Sequence, residues 1–533
     1  MSNNSESVQT SQARLLTAML DGSRYPKAAK SVRLIETHIS WVLLVGSYAY
    51  KIKKSVDIGF LDFTTLVRRK FFCNEEIRLN RRLAPHIYLD AVPIGGTVDD
   101  PTFGTLPAIE YAVRMRRFSI RAEMDSLMKR GKVLTAHIDS LAAVLARFHS
   151  CLPPPPPESS FGKGSVMRCL ALKNFEGLPG SLLDTVGQFV VTALQYATED
   201  EYAACEALIE SRYRQGFVRE CHGDLHLGNI VIRGGEAVPF DGIEFDPVLR
   251  WTDVICDIAF PFMDMLYYQR PDMAYRFLNA WLEMTGDYAG LGVLRFYASY
   301  RAAVRAKVNA IRADQPGVSA RNRAEAQDAF RKYLAKAYNC LTRATPALII
   351  THGLPGSGKT TFSQMALEQF GAIRVRSDVE RKRLFGLAPL ERSGSALGGE
   401  VYSADTTART YEVLLNTAQG LLTAGYRVIV DAAFLKREER DQFRRMAEKL
   451  SAPFIIVSIQ ASEPVLKARI EGRMRSRKDA SEADLNVLQA LQVANQPLDV
   501  KELTHTVTFF NEGNASFAAD DPGWSELEKL LPR

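Results

Sequence analysis

No apolar run in this chain of 533 residues approaches the ~18 that a membrane-spanning helix requires. The opening MSNNSESVQT lacks both the basic flank and the apolar centre of a secretory signal, so a cytoplasmic location is expected, with no membrane partner. The seven cysteines, Cys73, Cys151, Cys169, Cys205, Cys221, Cys256 and Cys340, never fall in a CxxC spacing, which excludes a zinc knuckle and gives no sign of a disulfide framework. Charge of one sign is also scarce. A net charge of +6 is too mild for a dedicated nucleic-acid coat protein. No internal repeat with a period of about 20 to 50 residues is visible. What is present is an ordinary globular composition, 46% apolar and 24% charged, which excludes disorder over most of the length. At roughly 150 residues per domain, the length predicts about three to four packing units.

The clearest break in composition lies near residues 343–348, where a basic helical stretch gives way to the apolar strand pattern ALIITHG. A new α/β module is expected from about Pro346. Pro153 to Pro157 must run extended, and they read as a surface loop inside a domain. Ahead of them, SWVLLVGSYAYKIKK predicts two strands turning at Gly46-Ser47, a helix follows from Arg68 to Leu83, and IYLDAVPI and EYAVRMRRF predict further strands. From about Ser119 the pattern is mostly helical. The expected organisation is a strand-rich lobe at 1–118, a helical lobe at 119–345 and a third domain at 346–533.

Within the helical lobe, CHGDLHLGNIVIR places Asp224 five residues before Asn229, and PFDGIEFD supplies Asp241 after a second short strand. Phosphoryl transfer needs these parts: a carboxylate to receive the hydroxyl proton, and an Asn and a carboxylate to hold magnesium against the phosphates. Over roughly residues 1–340 the sequence resembles the aminoglycoside phosphotransferase family and its kinase-like relatives. That resemblance implies an α+β, two-lobed, protein-kinase-like fold. It makes Asp224 the catalytic base, Asn229 and Asp241 the magnesium ligands, His222 and His226 shapers of the loop, and Asp257 its brace. Asp246 and Asp253 fit either a supporting role or simple helix caps. A kinase fold also needs a cation for the α and β phosphates, held by a helix carboxylate. Lys51 and Lys53 of AYKIKK share one strand face while Lys54 points the other way; Lys51 is the first choice, with Glu76 as its partner. The upper lobe carries no GxGxxG loop, only Gly46 near the turn.

Between Gly292 and Pro346 there are eleven Lys and Arg against three Asp and Glu. Arg301, Arg305 and Arg312 would form a partly continuous basic stripe. If that stripe lines the acceptor cleft, the acceptor is neutral or anionic, and polycationic antibiotics are a poor default.

GLPGSGKT, followed by a second Thr, satisfies G-x-x-x-x-G-K-[ST] between a strand and a helix. Backbone N–H groups from Gly353, Gly356, Ser357, Gly358 and onward through Thr361 would cradle phosphates; Lys359 would reach the β and γ phosphates and Thr360 the magnesium ion. Asp431 ends the strand YRVIV and is the second acidic group for the metal; Asp378 and Arg381 follow another strand, near where ligands of open α/β sheets bind. Residues 346–510 resemble the small P-loop kinases, including gluconate kinase and 5′-end polynucleotide kinases, an AAA-type ATP-binding module with an α/β P-loop NTPase fold built on a parallel sheet. The resemblance implies that Asp378 is a general base, Arg381 an acceptor clamp, and Arg469, Arg473 and Arg477 lid arginines, with Arg473 the candidate catalytic one. Asp479, Ser481 and Glu482 are expected to cap a following helix. The absence of an aromatic stacking platform favours a small-molecule hydroxyl over a nucleic-acid end.

The expected protein is therefore a bifunctional phosphotransferase using ATP and Mg2+. A P-loop ATPase switch with a kinase-like binding module, and a nucleic-acid end kinase, are the competing readings.

Overall fold

The computed structural model describes residues 2–26, 29–57, 59, 61–156, 158–391, 403–476, 480–513 and 517–532. The chain packs as two compact units: Met1–Cys169 with Ile209–Pro261, and Leu170–Leu208 with Phe262–Arg533.

The first unit is organised around a six-stranded sheet of β1 (Val32–Glu36), β2 (Ser40–Val45), β3 (Tyr48–Lys53), β4 (Tyr88–Gly96), β5 (Pro101–Phe103) and β6 (Glu110–Arg116). The order is β1-β2-β3-β6-β4-β5, and every adjacent pair is antiparallel. Gly46, at φ 55°, makes the two-residue turn between β2 and β3, where hairpin twist demands a positive φ. The helix Leu66–Asn80 starts at Thr65, whose hydroxyl accepts the Arg68 N–H at 3.3 Å. Its buried face carries Arg69, Cys73, Glu76 and Asn80, a stripe spaced by three and four residues. Polar groups on that stripe serve the site, so the helix shows little apolar periodicity. Two small antiparallel pieces carry the remaining machinery: β7 (Val218–Glu220) pairs with β10 (Trp251–Asp253), and β8 (Ile230–Arg233) with β9 (Glu236–Pro239).

The second unit contains a five-stranded sheet of β11 (Ala347–His352), β12 (Ala372–Arg376), β13 (Arg427–Asp431), β14 (Phe454–Gln460) and β15 (Thr506–Phe510). Its order is β12-β13-β11-β14-β15, and all pairs are parallel. All six residues of β11 are buried, as a central parallel strand covered on both faces requires. On one face Phe362 stacks on Trp524, with ring centroids 5.2 Å apart, among Phe509, Phe517 and Leu527.

Two expectations need correction here. The basic stripe does not form: Arg301 is buried and 5.0 Å from the Tyr300 ring, Arg305 lies 5.6 Å from the Tyr333 ring, and Arg312 is exposed. The reason is geometric, since the helix Leu291–Asp314 turns part of that side onto the helix Ala320–Leu341. The helix Leu485–Ala494 is capped by Asp484, not by Ser481 or Glu482, because only Asp484 lies next to its first turn, accepting the Val487 N–H at 2.8 Å. Asp479 and the lid candidate Arg477 lie outside the described residues, as does Pro157 of the proline run.

Candidate functional sites

In the first unit the loop between β7 and β8 is held from beneath. Asp257 is wholly buried on the helix Val254–Tyr267 and accepts the backbone N–H groups of His222 at 3.3 Å and Gly223 at 3.0 Å. His149 Nε2 stands 3.1 Å from the same carboxylate. Burial pushes the Asp257 carboxyl up, but the His149 bond and these N–H groups win and hold it at about 2. Cys221 lies beside this pair; its Sγ is 3.5 Å from the Thr252 carbonyl oxygen, and burial raises its thiol well above the ordinary value. With both Asp257 oxygens taken by loop N–H groups and His149, the trio reads as a loop brace rather than a metal centre.

A folded carboxyl below its ordinary 3.8 stabilises the unit above that pH, and the contribution disappears as acid takes the pH down through about 2. Asp257→Asn is expected to cost about 2 kcal/mol at neutral pH, with the difference from wild type closing between about pH 4 and pH 2 in urea unfolding curves.

The brace sets the geometry above it. Asn229 Nδ2 donates to the Asp224 carbonyl at 3.0 Å and to its Oδ2 at 3.2 Å, and His226 Nε2 lies 3.6 Å from the same carboxylate. Asp224 is thus fixed by its neighbours while its side chain remains about one-third exposed, at 35%. Asp241 sits just past β9 in the left-handed region, φ 61°, a conformation that Asp tolerates better than most residues. Tyr88 and Asn80, which periodicity did not single out, fix this turn: the Tyr88 hydroxyl accepts the Asp241 N–H at 3.0 Å and Asn80 Oδ1 accepts that of Gly242 at 2.7 Å.

Lys51 Nζ bridges Glu76 Oε1 at 2.9 Å and Asp241 Oδ1 at 2.7 Å. Burial lowers the Lys51 pKa, but the Asp241 and Glu76 carboxylates outweigh it and raise it well above the ordinary value. Lys53 is fully buried and pairs with Glu76 Oε2, at 2.7 Å, and with Glu244. Lys54 turns away to Glu36. The two same-face lysines therefore have different jobs: Lys51 reaches Asp241, whereas Lys53 neutralises Glu244, a partner invisible to strand spacing. Lys51→Met leaves Glu76 compensated by Lys53, so it should impair nucleotide use with little loss of melting temperature. Lys53→Met strands buried carboxylates and should cost about 3 to 5 kcal/mol by thermal or urea unfolding.

Asp246 and Asp253 separate in the same way. Asp246 caps the helix Pro247–Arg250 through the Val248 N–H at 2.8 Å. Asp253 is buried and takes two bonds from Arg212, at 2.7 and 2.9 Å.

In the second unit the loop from Gly353 to Gly358 joins β11 to the helix Lys359–Phe370. Gly358 sits at φ 108°, and a side chain there would run into Asn511, whose Nδ2 donates to the Ser357 carbonyl at 2.9 Å. Lys359 Nζ curls onto the Gly353 and Leu354 carbonyls, at 2.9 Å each, which places its charge inside the loop. Asp431, buried at the end of β13, accepts the Ser363 hydroxyl at 3.2 Å, and Ser363 Oγ also stands 3.1 Å from the Thr360 carbonyl. Thr360, Ser363 and Asp431 therefore meet at one end of the loop, with Thr361 next along the same helix.

Asp378 is the second residue of the helix Ser377–Leu384, which directly follows β12. Arg381 Nη1 is 3.2 Å from its Oδ1. Burial raises the Asp378 carboxyl, but Arg381, a hydrogen bond from Ser481, Arg376 and Arg473 together bring it below the ordinary value. Ser481 and Glu482 thus face this helix: Glu482 pairs with Lys382 at 3.0 Å. Arg473 donates to the Ala483 carbonyl at 2.7 Å, close enough for its charge to act on Asp378. Arg469 instead packs under the loop, bonding the Gly356 carbonyl at 3.1 Å and the Asn511 carbonyl at 3.0 Å.

Both donor sets, Asn229 with Asp241 and Thr360 with Asp431, offer hard oxygen ligands suited to magnesium. Among the described residues, no helix is long and apolar enough to cross a membrane.

Residues 73–297 match the phosphotransferase enzyme family, and residues 348–498 match an AAA domain. Solved structures that match parts of the chain include an amicoumacin kinase in complex with AMP-PNP, Ca2+ and Ami, at 15% identity and TM-score 0.38, covering 63% of this chain and 96% of that one. A gluconokinase from Sinorhizobium meliloti 1021 matches at 19% identity and TM-score 0.24, covering 36% and 91% of the respective chains. Uncharacterized protein Rv2004c of Mycobacterium tuberculosis (strain ATCC 25618 / H37Rv) and uncharacterized protein Mb2027c of Mycobacterium bovis (strain ATCC BAA-935 / AF2122/97) are each 31% identical over 463 residues, covering 86% of this chain and 89% of theirs. The phosphotransferase stretch, with its kinase-like lobe, makes the chain a kinase that uses ATP. It belongs to the family of these mycobacterial proteins, and in this chain the phosphotransferase-family stretch is followed by the AAA-domain stretch.

Proposed function

We propose that the chain is a bifunctional kinase in which each site moves the γ-phosphoryl group of ATP to the hydroxyl of a small molecule. The observation that supports this most is that each site joins phosphate-binding groups to a carboxylate held in place by its neighbours. Asp224 is bonded to Asn229, and Asp378 is held ionised beside Arg381 and Arg473. A switch that only binds nucleotide has no use for the second part.

At the first site the acceptor oxygen attacks the γ phosphorus and the bond to the bridging oxygen breaks. Asp224 takes the hydroxyl proton, and Lys51 holds the α and β phosphates. Asn229 and Asp241 would hold the magnesium ion, which when bound screens charge on the phosphates. At the second site Lys359 grips the β and γ phosphates, Asp378 takes the proton, and Arg381 and Arg473 offset charge on the group in transit. Thr360 and Asp431 would hold the metal there. The functional division follows these groups: 1–118 and 119–345 for the first site, 346–533 for the second, within the cytoplasm.

A small acceptor is favoured over a nucleic-acid end because the described groups that act on Asp378, namely Arg381, Ser481, Arg376 and Arg473, are charged or hydroxylic rather than aromatic. Loss of the basic stripe removes the sequence argument for an anionic acceptor at the first site, so a neutral polyol is the simpler expectation there. The test is a metabolite extract incubated with full-length protein and ATP, scored for mass gain of one phosphate. Wild type should give products that Asp224→Asn and Asp378→Asn remove separately. A single product set lost with either variant points to two successive steps on one metabolite; products unaffected by Asp378→Asn would refute a second kinase site.

A further inference from the structure

The helix Pro271–Thr285 falls inside the phosphotransferase-family stretch, yet it packs along β12, the outer strand of the parallel sheet. Asn279 closes that edge. Its Oδ1 accepts the Arg374 N–H at 2.6 Å and its Nδ2 donates to the Ala372 carbonyl at 2.9 Å, so a side-chain amide stands in for a neighbouring strand.

One turn further along the same helix face is Glu283. Its Oε1 takes Arg374 Nε at 3.0 Å and Nη2 at 2.5 Å, and its Oε2 takes Arg376 Nη1 at 3.4 Å. Arg374 and Arg376 share a strand face by the period of two, and both continue to the phosphate loop. Arg374 Nη1 reaches the Thr360 carbonyl at 3.3 Å and Ser363 Oγ at 3.4 Å. Arg376 Nε stands 3.7 Å from Asp431 Oδ2. Arg374 is only 5% exposed, so a carboxylate facing it is worth far more than one in water.

Arg376 thus lies between two carboxylates, one on the helix and one at the metal end of the loop, while its charge also acts on Asp378. An arginine committed to Asp431 would compete with a divalent cation for the same oxygens. We propose that Glu283 is a positioning residue for the second nucleotide site: it draws Arg376 off Asp431 and anchors Arg374 on Thr360, keeping the Thr360–Asp431 pair receptive to magnesium. A helix from the phosphotransferase stretch therefore sets the cation affinity of the P-loop site. This rests on the reading that Gly353–Thr361 binds nucleotide with magnesium.

The test uses full-length protein and the anisotropy of a fluorescent ATP analogue, counting only the signal that Lys359→Ala removes. Magnesium is titrated at fixed nucleotide. Glu283→Gln should raise the half-saturating magnesium concentration about five-fold while leaving binding at saturating magnesium within about two-fold. Adding Arg376→Gln to that variant should restore the midpoint, which no general loosening of the helix would do. A Glu283→Gln midpoint within about two-fold of wild type, or a double variant that fails to restore it, overturns the inference. If Glu283→Gln does not fold by circular dichroism, Arg376→Gln alone decides: a midpoint at or below wild type supports the competition, and a higher one refutes it. If Lys359→Ala removes no signal, the nucleotide reading of the loop fails and this inference with it.

Discussion

Full-length Asp224→Asn is expected to lose about three orders of magnitude in phosphoryl transfer at the first site while binding ATP within a few-fold of wild type. The substitution keeps the shape and the hydrogen bond to Asn229, at 3.2 Å, but removes the carboxylate that takes the acceptor's proton under this reading. Asp257, held at about 2 beneath the loop, fixes where Asp224 stands, so the variant should fold normally. The measurement is ATP-dependent phosphate gain in the metabolite assay, set against nucleotide affinity from calorimetry. A transfer rate within about ten-fold of wild type would remove Asp224 from the chemistry.

Lys359→Ala should abolish nucleotide binding at the second site, weakening it by about two to three orders of magnitude, with the first site unaffected. In the structure the ammonium is already inside the loop, on the Gly353 and Leu354 carbonyls at 2.9 Å. Binding then exchanges carbonyl partners for phosphate oxygens with little reorganisation, so its removal loses nearly the full charge–charge contribution. Calorimetric titration that still shows two ATP equivalents per chain would contradict this assignment.

These two changes act on separate sites, so their effects should add without coupling. Glu283→Gln differs in kind, because it alters cation demand rather than nucleotide contact.

Legibility divides along the distance between partners. Asp224, Asn229 and Asp241 lie close in the chain, and the phosphate loop is contiguous, so the grouping of each set was readable from spacing. The β2–β3 hairpin and the fully apolar β11 were readable for the same reason, since turn residues and strand patterns are local signals. Lys51 was preferred over Lys53 from the sequence, but what occupies Lys53 was not readable, because its partner Glu244 lies almost two hundred residues further on. The supposed basic stripe failed because sequence counts charges on a helix without knowing which neighbour covers them; Arg301 went inward and Arg312 stayed out.

The order of residues by itself carried the phosphotransferase and P-loop readings, because phosphate loops and catalytic loops are built from neighbouring backbone groups and their own side chains. Only the tertiary structure decided which charges are paired and which helix supports which site. Ion pairs and buried amides join residues that meet through folding alone, and neither Asn279 on β12 nor Glu283 on Arg374 leaves a mark in any local pattern.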